Sequence, residues 1–338
     1  MRICICGGGN LGHVAAGFIA SQGVDEVSVL TRRPACWPGV LTIDTPGGGT
    51  KTGRLARVSS CPADVVPGCD AVMLCLPGWS IGSVLDEIRP LLSPGMAVGS
   101  VVSSTGFYFE ARRRLPEGTP LFGFQRVPFI ARTTEYGRRA SLLGYKKQLR
   151  LGTEHIANPE TFRQDMERML ATPVTLAANM YEVSLTNSNP LLHPSRLYSL
   201  WKDWHDGMVY GRVPMFYEEW DEPAADLYIR MDGEFQAILG ALPVSRGCIP
   251  TVLEYYESRD AASLAAKLRS ITAFKGIPAP MTDTGKGYVP DFKSRYFTED
   301  FPYGLAIIRR LAMEKGMPVP VIDKVYEWGS RHISAVNV

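Results

Sequence analysis

A chain of 338 residues, 45% hydrophobic and 21% charged, has the make-up of a globular protein with room for two domains and a large core. A formal net charge of +2 gives no global pull toward nucleic acid or a membrane surface, and no apolar run reaches bilayer-spanning length.

The first element is a short apolar run, residues 2–6, read as a strand. Gly7-Gly8-Gly9-Asn10-Leu11-Gly12 follows at once, and then a helix-like stretch from His13 to Gln22. This is G-x-G-x-x-G between a strand and a helix, the context in which the motif binds a dinucleotide. Gly7 permits the tight turn, Gly9 lets the backbone approach a pyrophosphate, and Gly12 lets helix and strand pack closely. The helix N-terminus offers free N–H groups and the positive end of its dipole to the phosphates. A strand entering the fold directly leaves no room for a signal peptide, so a cytoplasmic protein is expected. Seven cysteines without a CxxC pair agree with this and read as reduced thiols; Cys4, Cys6, Cys69 and Cys75 sit in or beside apolar strands. No metal site is expected.

Strand-like and helix-like segments then alternate. Residues 26–31 read as a second strand, 70–76 and 96–103 as buried parallel strands, and 120–124, 145–152 and 174–176 as further strands. Helices are expected over 81–92, 107–115 and 160–171. From about residue 180 helices dominate: 180–188, 195–204, 223–239, 251–256, 261–272, 303–315 and 320–331. Residues 273–302 are irregular. The expected fold is α/β plus α: a doubly wound Rossmann domain over 1–179, then an all-helical substrate domain over 180–338.

The end of the second strand bears on the nucleotide. NAD sites carry an acid there for the ribose 2′-hydroxyl, whereas an Arg accommodates a 2′-phosphate. Here Thr31-Arg32-Arg33 stands at that point and the acids, Asp25 and Glu26, precede the strand. NADP(H) is therefore favoured over NAD(H), a solvated Arg pair being the competing reading. FAD suits the short first loop less well. The residues expected at the cofactor are Gly7, Gly9, Asn10, Leu11, Gly12, Thr31, Arg32, Arg33 and Pro77.

Among five histidines, His193 stands out in Asn189-Pro190-Leu191-Leu192-His193-Pro194, read as a rigid turn at the start of the helical domain. His suits proton transfer near neutral pH; a packed or capping His is the plain alternative. The glycine motif, this turn and the late segment Arg295-Tyr296-Phe297-Thr298-Glu299-Asp300-Phe301-Pro302-Tyr303-Gly304-Leu305 together resemble the opine dehydrogenases, the octopine/nopaline dehydrogenase family, over nearly the whole length. The resemblance implies NAD(P)H-dependent reductive condensation of an amino acid, or another amine, with a 2-oxo acid such as pyruvate, the substrates lying between the two domains. It further implies His193 as proton donor and acceptor, Asp300 as the carboxylate that orients it, and Arg295 as holder of a substrate carboxylate. Arg and carboxylate match fork to fork, and an ordinary loop ion pair is the competing reading for Arg295 and Asp300.

Asn189 and Arg132 are weaker substrate-binding candidates; Arg132 is read as following a strand end, where open α/β sheets bind ligands. Trp201, Trp204 and Trp220 read as core, and Glu218, Glu219, Asp221 and Glu222 as a solvated face. Small-molecule substrates are the expected partners, with neither nucleic acid nor membrane, and the helical domain could support a homodimer. Two other readings stay open: a ketopantoate reductase-like or 2-hydroxyacid dehydrogenase acting on a ketone, and a non-catalytic NADP sensor.

Overall fold

The computed structural model describes residues 1–336, so of the expected range 180–338 positions 337 and 338 lie outside the described residues. The chain divides into two compact units, Met1–Thr186 and Asn187–Val338.

The first unit opens as its sequence predicts. Strand β1 (Arg2–Cys6) runs through the glycine turn into α1 (Asn10–Ser21), which starts three residues earlier than the pattern suggested. Strand β2 (Glu26–Leu30) follows, then β3 (Val40–Asp44), β4 (Thr50–Arg54) and β5 (Arg57–Ser59). After the one-turn helix α2 (Pro62–Val65) come β6 (Ala71–Leu74), α3 (Gly78–Ile88), β7 (Ala97–Ser100) and α4 (Phe107–Arg114). Four strands then run in close succession: β8 (Leu121–Phe124), β9 (Phe129–Glu135), β10 (Arg139–Tyr145) and β11 (Leu149–Glu154). Helix α5 (Pro159–Leu170), β12 (Val174–Leu176) and α6 (Met180–Ser184) complete the unit.

Eight strands form the main sheet in the order β12-β11-β8-β7-β6-β1-β2-β5. From β8 to β5 all neighbours are parallel, and the register pairs Ile3 with both Val27 and Ala71. The chain winds outward from β1 in both directions, which makes the carboxyl end of β1 the switch point where such sheets bind ligands. β1, β6 and β7 are apolar on both faces because helices cover both.

A second sheet, β4-β3-β10-β9, was not anticipated. It packs on α1, and it divides the single strand expected over 145–152 into β10 and β11.

The second unit is helical: α7 (Asn189–Trp201), α8 (Glu222–Gly240), α9 (Val252–Tyr255), α10 (Ala261–Ser270), α11 (Arg295–Thr298), α12 (Ala306–Glu314) and α13 (Pro320–Val336). The expected irregular stretch also contains a two-stranded hairpin, β13 (Met281–Asp283) with β14 (Tyr288–Pro290). The core gathers around α7 and α8, where Trp201, Phe216, Trp220 and Tyr228 are buried. No helix among the described residues is long and apolar enough to cross a membrane.

Candidate active site

The glycine turn shapes one wall of a cavity of about 710 Å³ in the first unit. Gly7 sits at φ +127°, which disfavours a side chain, and a Cβ on Gly12 would collide with the Gly7 carbonyl. A Cβ on Gly9 would meet nothing within 4 Å, so this glycine leaves space beside the exposed start of α1. With Gly9 as N-cap and no side chain closing that end, the first-turn N–H groups of α1 remain available to an anion. This arrangement fits a dinucleotide pyrophosphate. Thr31, Arg32, Arg33 and Pro77 line the same cavity, joined by Cys75, Trp79 and Tyr136. The Arg33 guanidinium lies 3.8 Å from the centroid of the Tyr136 ring, and the Arg32 guanidinium 5.8 Å from that of Trp79. Burial pushes the Cys75 thiol up to about 12, so it stays protonated beside the site.

Two of the expected cofactor residues turn their side chains to the protein instead. The Leu11 side chain packs against the core. Asn10 turns its Oδ1 to the Thr133 N–H, at 2.9 Å. Tyr136 was missed because it stands on the connection between β9 and β10, in a sheet that the pattern did not reveal.

In the second unit the residues 189–194 form the opening turns of α7 rather than a turn before it. Pro190 occupies the first turn, where a missing N–H costs nothing. Pro194 lies inside the helix and forfeits one intrahelical bond, a loss that the burial of Pro190–Leu197 offsets. His193 faces Asp300, with Nδ1 2.7 Å from Oδ2. Asp300 stands at the head of the π-helical turn Phe301–Leu305, and the Leu305 N–H donates to the Asp300 carbonyl at 2.8 Å. Such turns often occur at functional sites. Gly304 permits the approach, since a Cβ there would come within 2.6 Å of Pro190 Cγ. The two sequence motifs thus pack directly against each other, and this contact sets the His193–Asp300 distance.

The other nitrogen, Nε2, lies 2.8 Å from the Tyr217 hydroxyl. With Nδ1–H donated to the Asp300 carboxylate, Nε2 carries the lone pair and accepts the Tyr217 O–H. Burial pushes the Tyr217 phenol far above its ordinary value, with Tyr296 and Asp300 adding to the effect, so it remains a donor. The Tyr296 ring meets the imidazole edge-on at 4.5 Å and stacks on Phe216. Buried Arg196 holds the segment that carries Tyr217: its Nε donates to the Phe216 carbonyl at 3.0 Å and its Nη2 to the Glu219 carbonyl at 2.6 Å. No motif or spacing picked out Tyr217 or Arg196.

Arg295 does not join this group. Its side chain is 85% exposed and pairs with Glu299 at 3.2 Å. Asn189 begins α7, its N–H donating to Asn187 Oδ1 at 3.1 Å. Arg132 is corrected: it lies within β9 of the small sheet, exposed to solvent, not at the end of a parallel strand. Glu218, Glu219 and Asp221 have structural partners, the Glu218 carboxylate accepting the Gly276 N–H at 2.7 Å. Arg212 and the Met215 N–H pull Glu219 down to about 2, and Asp221 caps α8 through the Ala224 N–H. Trp201 and Trp220 are core residues, each 1% exposed.

Residues 176–333 match the family described as NAD/NADP octopine/nopaline dehydrogenase, alpha-helical domain. The opine dehydrogenase of Haliotis discus hannai is 29% identical over 367 residues, spanning 98% of this chain and 90% of the relative. Octopine dehydrogenase solved with NADH and L-arginine superposes with a TM-score of 0.86 at 26% identity, over 99% of this chain and 90% of that one. The same enzyme with NADH and pyruvate gives 0.84 at 25% identity, over 98% and 89%. The chain is similar to the octopine/nopaline dehydrogenases over nearly its whole length, with their alpha-helical domain at residues 176–333, and is an NAD(P)-dependent oxidoreductase of opine-dehydrogenase type.

Proposed function

We propose that this protein joins a 2-oxo acid to the amino group of an amino acid and reduces the resulting imine, with His193 and Asp300 moving the protons. The observation that carries this reading is the Asp300–His193–Tyr217 chain, with His193 and Tyr217 buried and distances of 2.7 and 2.8 Å. Asp300 fixes the ring and its tautomer, so His193 can accept a proton at Nε2 and return it. It carries two protons in turn to the carbonyl oxygen, one from the ammonium, which frees the amine to attack, and one from the nitrogen after attack, and the oxygen leaves as water. The Tyr217 O–H, already bonded to Nε2, extends the path by one hydroxyl. When bound, the reduced nicotinamide supplies the hydride that goes to C2 of the imine. One proton from solvent ends on the secondary amine, which balances the step.

The cofactor would lie on Gly7, Gly9, Gly12 and the N-terminus of α1, with Arg32 and Arg33 favouring NADP(H) over NAD(H). The relatives' names and the L-arginine and pyruvate in the octopine dehydrogenase structures support an amino acid and a short 2-oxo acid as substrates. Arg295 is the proposed carboxylate holder, since an exposed ion pair such as Arg295–Glu299 is weak and easily exchanged for a substrate. Seven free cysteines accord with work in the cytoplasm.

Initial rates of NADPH and NADH oxidation with pyruvate, with and without a panel of amino acids, test the reading. Oxidation requiring both substrates is expected. Oxidation by the oxo acid alone would make the protein a ketone reductase, and binding without oxidation would make it a sensor.

A further inference from the structure

We propose that His13 is a positioning residue for the dinucleotide, locking the glycine turn to the Tyr136–Gly137 turn of the small sheet and thereby fixing both the phosphate-binding peptide and the wall that carries Arg33. The inference needs only the dinucleotide site and is independent of the condensation chemistry.

His13 is wholly buried in the first turn of α1. Its Nε2 lies 2.7 Å from the Gly137 N–H, and its Nδ1 lies 2.9 Å from the Gly9 carbonyl. A backbone N–H can only donate, so Nε2 carries the lone pair and Nδ1 carries the hydrogen. The imidazole is therefore neutral, in one tautomer, with both nitrogens engaged. The Gly9 carbonyl also accepts the His13 backbone N–H at 3.0 Å, so one residue pins it twice. The peptide is planar and trans, so a Gly9 carbonyl held along the helix turns the Asn10 N–H the opposite way, out of the helix start where a pyrophosphate binds. The Thr133 N–H to Asn10 Oδ1 bond ties the same turn to β9 a second time.

The far side of the lock reaches the ribose end of the cavity. The His13 ring packs at 4.3 Å on Trp37 and 4.9 Å on Tyr136. The Tyr136 hydroxyl lies 3.2 Å from Thr31 Oγ1, and Arg33 lies over the Tyr136 ring. A shift at Gly137 would carry Tyr136, and with it the Arg33 platform, away from the end of β2.

Burial holds the His13 pKa below its ordinary value; the Gly9 carbonyl opposes this and nearby Arg33 adds to it. Among the described residues Arg33 is the charged group acting on the ring and Tyr136 the titratable one packed against it. Protonation would set an Nε2–H against the Gly137 N–H, donor against donor, and release the lock. Dinucleotide affinity should therefore hold through neutrality and fall only as pH drops through the lowered His13 pKa.

The test is direct binding of NADH and NADPH to the full chain, by dihydronicotinamide fluorescence without oxo acid. His13→Phe keeps the ring packing and removes both bonds. Its Kd for both nucleotides should rise about tenfold near pH 7.5, with the wild-type and variant values converging only where His13 itself becomes protonated. The 2′-phosphate titrates identically in both proteins, so their ratio isolates His13. Equal Kd values near pH 7.5 overturn the proposal. Should the variant fail to fold, His13→Leu, which also lacks both bonds, takes its place, and a wild-type Kd in that variant overturns the proposal.

Discussion

His193 illustrates how much one residue owes to its neighbours. Asp300 sets its tautomer, and the Tyr217 O–H meets the nitrogen left over. Tyr296 and Phe216 strengthen both bonds by keeping water away. Replacement by Gln should lower kcat by about 10²- to 10⁴-fold in amine-dependent NADPH oxidation, with cofactor binding unchanged. Tyr217→Phe removes one oxygen from a packed ring. If the hydroxyl passes protons, kcat falls by about tenfold or more while KM holds steady. An unaltered kcat would reduce Tyr217 to packing. His193 and Asp300 were legible because both stand in motifs. Tyr217 was not, since 24 residues separate it from His193 and its partner bond is made only in three dimensions.

At the scale of elements, three pieces of chain converge on the site: α7, the π-helical turn after Asp300, and the segment 216–220. Arg196 ties the first to the third. It is 1% exposed, and its removal would strand two carbonyls without their donors. Arg196→Met should destabilise the second unit by about 2–4 kcal/mol and weaken catalysis by letting Tyr217 drift, measured by denaturant unfolding and kcat together. The small sheet shows why some elements escaped detection. Strand β4 reads Thr-Lys-Thr-Gly-Arg, with no apolar alternation at all. It packs on α1 through Gly53, where a Cβ would sit 2.9 Å from the Ala20 Cβ. A strand whose inward contact is a missing side chain leaves no periodic signal. The same sheet carries Tyr136, so missing it also hid one wall of the cofactor cavity.

At the scale of the whole molecule, the chain forms two compact units, and the candidate dinucleotide cavity lies in the first. A dinucleotide that binds the folded first unit stabilises it by mass action, by about 2.7 kcal/mol at a hundredfold excess over Kd. Thermal melting with NADPH should therefore move upward, while pyruvate without nucleotide should leave it in place. If the chain melts in two steps, the transition of Met1–Thr186 is the one expected to move. A melting curve indifferent to both NADPH and NADH would count against the cofactor site itself.

By itself the sequence determined the strand–glycine–helix unit, the parallel sheet, the helical second half and the two motifs that hold His193 and Asp300. These are local signals: turn chemistry, apolar runs and short spacings act over a few residues and can be read without a partner. Only the tertiary structure decided that the proline-flanked segment is helix, that Gly304 lets Pro190 approach, that Tyr217 closes on His193, and that His13 bridges Gly9 and Gly137. Each of these depends on burial and on contacts between residues far apart in the chain, where packing overrides local preference and a hydrogen bond goes to whichever group the fold brings near.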